Sequence, residues 1–285
     1  MSRPRQRTPA ASDNTGEAPY EGRAAADLAA LLRLPRVVTF GAVGSTLDVA
    51  HTLGEAGAPA GTLVLAETQS AGRGRFGRSW HSEPGRGIWL TLVERPAEAE
   101  TLEVLSLRLG LHAAAALAPF AEAPVQLKWP NDLQVEGRKL AGILVEARWR
   151  EARLDWVAVG LGVNVRPPTR LVTAGRLAPG TDRVRVLQAL VPALRGAVLA
   201  HGRLTPTELA AYAGRDAVRG RRCVQPVAGT VAGIDAEGAL LVDTAEGRRA
   251  VRTGSLVIDQ TGEGKEEGAG ARPRSAPDST HGATT

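Results

Sequence analysis

LKWPNDLQVEGRKLAGILVE, residues Leu127 to Glu146, is the stretch around which the rest of the chain is arranged. The chain has 35 basic residues, yet only Lys128, Lys139 and Lys265 are lysine, and two of these three fall inside this stretch. An ammonium is a compact charge on a flexible stem and a guanidinium is a planar fork. A chain that writes arginine nearly everywhere therefore has a chemical use for lysine here. Chance clustering is the bland alternative, and the neighbours weigh against it. Trp129-Pro130-Asn131-Asp132 puts a ring, a rigid turn, an amide and a carboxylate in successive positions. Glu136-Gly137 then turns the chain, and Arg138-Lys139 opens an apolar strand. A hairpin of this kind holds Asp132 near Lys139 across the turn.

Downstream, Lys139 to Arg148 and Leu154 to Val165 read as a long hairpin around Arg150-Glu151-Ala152. In its second strand Val157, Val159 and Leu161 face one way, while Ala158, Gly160, Gly162 and Asn164 face the other. A face stripped to Ala and Gly marks close approach of a ligand or of another backbone, with close packing against a helix as the competing reading.

Upstream, Gln69 to Trp80 reads QSAGRGRFGRSW. Gly72-x-Gly74-x-x-Gly77 formally matches the dinucleotide fingerprint, which requires a helix starting at the glycines. Pro84, Gly85 and Gly87 follow at once, and then an apolar strand, Ile88 to Val93. The segment is instead a glycine loop armed with arginines, able to close on an anion through backbone N–H groups and guanidinium forks. Arg73, Arg75, Arg78 and Arg86 crowd this region with only Glu83 against them. The net charge of +5 is modest, but this local excess fits phosphate, whether of a nucleotide or a nucleic acid, with a solvated surface loop as the competing reading.

The remaining pattern is mixed. Short helices are expected at Ala24–Leu34 and, opened by a capping box at Ser45-Thr46-Leu47-Asp48, through about Ala56. Strands are expected at Arg36–Phe40, Gly61–Glu67 and Val125–Trp129, with an amphipathic helix at Leu102–Leu117. Val184–Leu199 reads as a helix kinked or restarted at Pro192, and Thr205–Tyr212 as a short one. After Gly220 the texture changes to short strands with regular turns, which suggests a small β-barrel. The expected organisation is a disordered extension over residues 1–19, a catalytic domain over 20–218, the barrel over 219–259 and a disordered tail over 260–285.

At 285 residues and 43% hydrophobic the chain can bury a large core. No run approaches the roughly 20 apolar residues of a membrane span, so a soluble cytoplasmic protein is expected. The single cysteine, Cys223, excludes an internal disulfide and a Cys-clustered metal site, and no metal-ligating residues are assigned.

Gln69–Trp80, Lys128–Glu146 and Gly160–Asn164, in this order, resemble the biotin–protein ligase family. GRGRxGRxW together with KWPND…RKLAGIL is a specific pair. The resemblance runs from about Phe40 to Val165 with motifs and more weakly to about Val257. It implies an α+β fold, a mixed β-sheet with flanking helices related to lipoate ligases, plus a small C-terminal SH3-like β-barrel. Lacking a recognisable helix-turn-helix, the chain resembles members that only ligate, so no nucleic-acid partner is expected, and without an apolar run of membrane length no membrane partner is expected either.

The resemblance further implies ATP-dependent ligation of biotin, through a biotinyl-adenylate, to a lysine of a biotin carboxyl carrier domain. It also implies Mg²⁺ accompanying ATP and a monomer or weak homodimer, since the resemblance spans both. Lys139 matches the family's essential lysine, Asp132 is the candidate to accept a proton from the carrier lysine or to orient it, with a purely structural ion pair to Lys139 as the competing reading, and Arg73 and Arg75 complete the catalytic set. Ser45, Thr46, Gln69, Gly72, Arg73, Trp80, Lys139, Gly142, Gly160 and Gly162 match biotin-binding positions. Arg73, Arg75, Arg78, Lys139, Asn131 and Asn164 match adenylate-binding ones. Leu47 stands where the family commonly has Asn, and Phe76 where it often has a basic residue. Lipoate or octanoate transfer on the related fold is the nearest alternative. A basic nucleic-acid-binding protein is the alternative from another class, and it has no use for Lys139 in an apolar strand.

Overall fold

A computed structural model describes residues 16–96, 98–166 and 174–259. The larger unit runs α1 (Ala25–Leu32), β1 (Arg36–Val43), α2 (Thr46–Glu55), β2 (Thr62–Gln69), β3 (Gly87–Glu94), α3 (Leu102–Leu117), β4 (Gln126–Lys128), β5 (Asp132–Val135), β6 (Arg138–Arg150), β7 (Arg153–Asn164), α4 (Arg183–Leu199) and α5 (Pro206–Ala213). Seven strands form one sheet in the order β1-β2-β3-β7-β6-β5-β4, and only β1 and β2 run parallel.

Two tight turns set the central registers. Glu136 and Gly137 both have positive φ, 51° and 70°, and join β5 to β6 with a handedness that matches strand twist. Asp132 thereby pairs with Gly142 across the ladder. The β6–β7 hairpin turns at Glu151, and Gly142 falls opposite Gly162, Leu144 opposite Gly160.

The two sheet faces differ. Val157, Val159, Leu161 and Val163 of β7 enter the main core with Leu28, Leu105, Leu109, Leu187 and Leu190 of α1, α3 and α4. On the other face α2 covers one end, where Leu47 and Ala50 pack with Val64, Val93, Trp156 and Ala158. The remainder of that face carries Gly142, Gly160 and Gly162 and is the floor of a cavity. Leu102–Phe120 has the length and composition of a membrane span at 19 residues, longer than expected for this chain, but most of it is buried in the core. α4 is one continuous helix through Pro192, capped by Asp182.

The C-terminal unit has β8 (Arg222–Gln225), β9 (Gly229–Ile234), β10 (Leu240–Thr244), β11 (Gly247–Val251) and β12 (Val257–Ile258), in the sheet order β11-β10-β9-β8-β12. This five-stranded sheet is consistent with the expected SH3-like unit, though among the described residues it does not close into a barrel. β11 is exposed along most of its length and β12 is only two residues long, so no pairing joins the two edges. Its turn over residues 235–238 docks on the larger unit, where the buried Trp129 ring donates from Nε1 to the Gly238 carbonyl at 3.0 Å.

Residues 16–19, expected to be disordered, pair with β1 instead. Ala18 donates its N–H to the Thr39 carbonyl at 3.0 Å, and Tyr20 beyond it is fully buried. The expected disorder of residues 1–15 and 260–285 lies outside the described residues.

Candidate active site

A cavity of about 200 Å³ lies between the glycine floor and the arginine loop. Its floor is Gly142, Gly160 and Gly162, its wall is the start of α2 with Thr46 and Leu47, and the loop from Arg73 to Trp80 covers it. Lys128 to Asp132 and Lys139 close one end. The loop contains only a three-residue 3₁₀ turn at Arg75–Gly77 and then leads to β3, so no helix begins at its glycines.

The glycines are required by what faces them. A Cβ on Gly162 would sit 2.4 Å from the Trp80 ring, and one on Gly142 would sit 3.0 Å from the same ring and 3.2 Å from Lys139 Nζ. A Cβ on Gly160 would lie 3.2 Å from Leu47. The stripped strand face thus serves both anticipated uses, helix packing at Gly160 and space for the cavity at Gly142 and Gly162.

At the α2 end, polar groups are pre-arranged. Gln69 Oε1 accepts from the Thr46 N–H at 2.9 Å and from Thr46 Oγ1 at 3.1 Å, while Gln69 Nε2 donates to Ser82 Oγ at 2.9 Å. Thr91 Oγ1 donates to Thr46 Oγ1 at 2.9 Å. This fixes the carboxamide orientation and leaves the apolar side chains of that end to Leu47 and Leu144, while Leu90 and Leu161 border the cavity from strands whose side chains enter the main core.

At the other end charge collects. Lys139 Nζ is 2.7 Å from Asp132 Oδ1 and 5.2 Å from the centroid of the Trp80 ring. Burial pushes the Lys128 ammonium below the usual lysine value; Asp132 opposes that shift, and Arg221 and Lys139 add to it. Burial likewise lowers Arg75, again with Asp132 opposing and Arg78 adding. One carboxylate is therefore shared by Lys128, Lys139 and Arg75, and such a surplus of cations in a partly desolvated cleft is suited to an oligophosphate.

Most of the predicted residues meet here: Thr46, Gln69, Arg73, Arg75, Arg78, Trp80, Asn131, Asp132, Lys139, Gly142, Gly160 and Gly162 all line the cavity. Ser45, Gly72 and Asn164 stand behind the lining. Ser45 caps α2 by accepting from the Leu47 N–H at 3.3 Å. The capping box expected there is not formed, because Asp48 turns instead to an ion pair with Arg73. Gly72 accepts from the Trp80 N–H at 2.8 Å, which closes the base of the loop. Asn164 donates to the Lys139 carbonyl at 3.1 Å, and Asn131 donates to the Ile143 carbonyl at 2.8 Å, so both amides brace β6.

Sequence reasoning missed the contribution of the C-terminal unit. Ser255 and Leu256 line the cavity, Arg78 donates to Ser255 Oγ at 3.1 Å, and Arg75 donates to the Gly254 carbonyl at 3.4 Å. Nothing in the local pattern of residues 254–256 signals this, since the contact depends on how the two units dock. The rarity of lysine singles out Lys128 in the sequence without giving it a role.

Among the described residues, no group of three or more His, Cys, Asp or Glu side chains is placed to hold a metal ion. The cations at this end of the cavity suit a nucleotide that brings its own divalent ion.

Residues 43–164 match the family model described as Biotin/lipoate A/B protein ligase family, and residues 217–258 match Biotin protein ligase C terminal domain. The chain is 34% identical over 241 residues to the bifunctional ligase/repressor BirA of Bacillus spizizenii, covering 76% of this chain and 72% of that protein. It is 32% identical over 216 residues to the biotin–(acetyl-CoA-carboxylase) ligase of Mycobacterium tuberculosis, covering 69% of this chain and 79% of that protein. The structure of a biotin protein ligase from Aquifex aeolicus in complex with biotin and ATP superimposes with a TM-score of 0.67 at 25% identity, over 79% of this chain and 99% of that one.

Proposed function

The chain belongs to the biotin/lipoate A/B protein ligase family, and from that premise we propose that it ligates biotin to a carrier-protein lysine at the expense of ATP. The observation that carries this reading is the position of Lys139. Its ammonium stands where the glycine-floored, partly apolar cavity meets the cluster of Lys128, Arg75 and Arg78. An apolar acid with a polar ring at one end fits the first part, and a triphosphate fits the second.

In the first step a biotin carboxylate oxygen bonds to the α-phosphorus of ATP, the bond from that phosphorus to the bridging oxygen breaks, and pyrophosphate leaves. Two anions approach each other, so the barrier falls with positive charge placed where charge develops on the phosphate. Lys139 supplies that charge between the acyl and phosphoryl oxygens, and Arg75 and Arg78 bind the phosphates. Magnesium enters as MgATP. In the second step the neutral amine of a carrier lysine bonds to the acyl carbon, the bond from that carbon to the AMP phosphate oxygen breaks, AMP leaves, and the amine proton passes to solvent. Asp132 is already paired with Lys139, so its part is to orient the amine. The thioether ring and ureido head lie toward Thr46 and Gln69, with Trp80 along the tail.

The carrier is a biotin carboxyl carrier domain. Match to the biotin protein ligase C-terminal domain favours biotin over lipoate. The test is exchange of labelled pyrophosphate into ATP, run with biotin, lipoate and octanoate, followed by transfer to a purified carrier domain. Exchange that depends on biotin supports the reading; exchange with lipoate alone overturns it.

A further inference from the structure

His51 lies outside every role so far described. It is 6% exposed, on α2, and both ring nitrogens are engaged. Trp156 Nε1 is 3.3 Å from His51 Nδ1. An indole nitrogen only donates, so Nδ1 must present its lone pair and the ring proton must sit on Nε2. His51 Nε2 is 2.8 Å from Glu146 Oε2 and donates to it.

Trp156 is itself fixed. Its indole packs where Gly54 leaves space, since a Cβ there would come within 2.6 Å of the ring. Glu146 projects from β6, and Arg73 donates Nη2 to its two oxygens at 3.5 and 3.4 Å, while Nη1 pairs with Asp48 of α2. Arg73 is the first arginine of the glycine loop, and Gly72 beside it forms the closed base of that loop. A continuous line of contacts thus runs from the β7 indole through His51 and Glu146 to the root of the cavity's cover.

We propose that His51 is a positioning residue for the glycine loop: with its tautomer set by Trp156, it holds Glu146 in the orientation that anchors Arg73. The anchor keeps the base of the loop on the cavity wall while Arg75 and Arg78 move to the phosphates. Its use is retention of the reactive acyl-adenylate, and to that extent it rests on the proposed function; the anchoring itself does not.

Two variants separate hydrogen bonding from volume. His51→Gln keeps an N–H near the Nε2 position, and His51→Leu fills similar space without a donor. Each full-length protein is checked by its thermal transition. In the absence of substrates, tryptic cutting within residues 72–80 should be about tenfold faster in His51→Leu, as loss of a hydrogen bond to a charged acceptor implies, and near the starting rate in His51→Gln. Release of adenylate into solution during a single turnover should follow the same order. Nitrogen-15 spectra of the unsubstituted protein, with no variant needed, should report His51 protonated on Nε2 and bare on Nδ1. Equal loop cutting in the two variants, or a proton on Nδ1, overturns the proposal. A protein that fails biotin-dependent exchange but shows the expected cutting and tautomer leaves the anchor standing and removes the enzyme reading instead.

Discussion

Lys139 Nζ pairs with Asp132 Oδ1 at 2.7 Å while facing the Trp80 ring at 5.2 Å. The pair holds the ammonium at the mouth of the phosphate end before any nucleotide is present, so little reorganisation is needed when charge develops there. Lys139→Ala should therefore lower biotin-dependent pyrophosphate exchange about 100- to 1000-fold, the loss typical of a preorganised charge-stabilising group. Because the side chain is only part-buried, the thermal transition should move little. Asp132→Asn should spare exchange more than it spares transfer to the carrier. Exchange within a few-fold of normal in Lys139→Ala would remove the central claim of the mechanism.

The approach of Trp80 to Gly162 gives a second outcome. An added methyl at Gly162 would meet the ring at 2.4 Å, and the strand beneath it has no room to retreat, because β7 is paired on both sides by β3 and β6. The ring must swing away, and overpacking of this kind costs about 1–3 kcal/mol. Gly162→Ala should raise the KM for biotin at least about tenfold, with a smaller effect on the KM for ATP, as read from exchange at varied biotin and ATP. An unchanged KM for biotin would show that Trp80 does not border the acid.

Lys128 predicts a pH dependence. Its ammonium is held below the usual 10.5 chiefly by burial, so the free protein loses this charge at a lower pH than an exposed lysine would. Protonated Lys128 favours phosphate and neutral Lys128 does not. The kcat/KM for ATP should therefore be full below the lowered value and fall as pH rises through it, and Lys128→Arg should carry the alkaline limb to higher pH. The folding linkage has the opposite sense. The unfolded chain binds this proton more tightly, so the desolvation penalty is present in full below the lowered value and relieved as pH rises toward 10.5. Coincident pH profiles for the two proteins would exclude Lys128 from the nucleotide site.

The parts of this architecture legible in the sequence are those written in local pattern. The Glu136-Gly137 turn, the alternation of β7 and the glycine loop each follow from a few adjacent residues, and each is present in the fold. Asp132 and Lys139 can be paired from sequence because a tight hairpin brings them together. The resemblance supplied roles that no spacing could. What stayed hidden depends on tertiary docking: Ser255 reaching Arg78, Trp129 reaching Gly238, and Arg73 drawing Asp48 away from the α2 cap. The C-terminal run of short strands was legible from its turns, but such a pattern does not specify whether the edge strands meet, and among the described residues they do not.

The contacts of Arg75 and Arg78 with the C-terminal unit yield the last prediction. Arg78 donates to Ser255 Oγ at 3.1 Å and Arg75 to the Gly254 carbonyl at 3.4 Å, near the outer limit of a hydrogen bond. Phe76 between them is 64% exposed. Both contacts are to neutral acceptors, and a phosphate offers charged ones of roughly twice the strength. Nucleotide should therefore draw both arginines off the C-terminal unit and close the loop over the acid, excluding water from the anhydride. Tryptic cutting within residues 72–80, located by mass spectrometry of the fragments, should slow at least about tenfold when biotin and ATP are both bound, since each phosphate contact adds a charge-assisted bond. Ser255→Ala should raise cutting of the free protein a few-fold and leave the liganded protein unchanged, because Ser255 holds only the open form. Equal cutting with and without substrates would mean that the loop does not close on them. A Ser255→Ala effect confined to the liganded state would mean that the C-terminal unit holds the closed form rather than the open one.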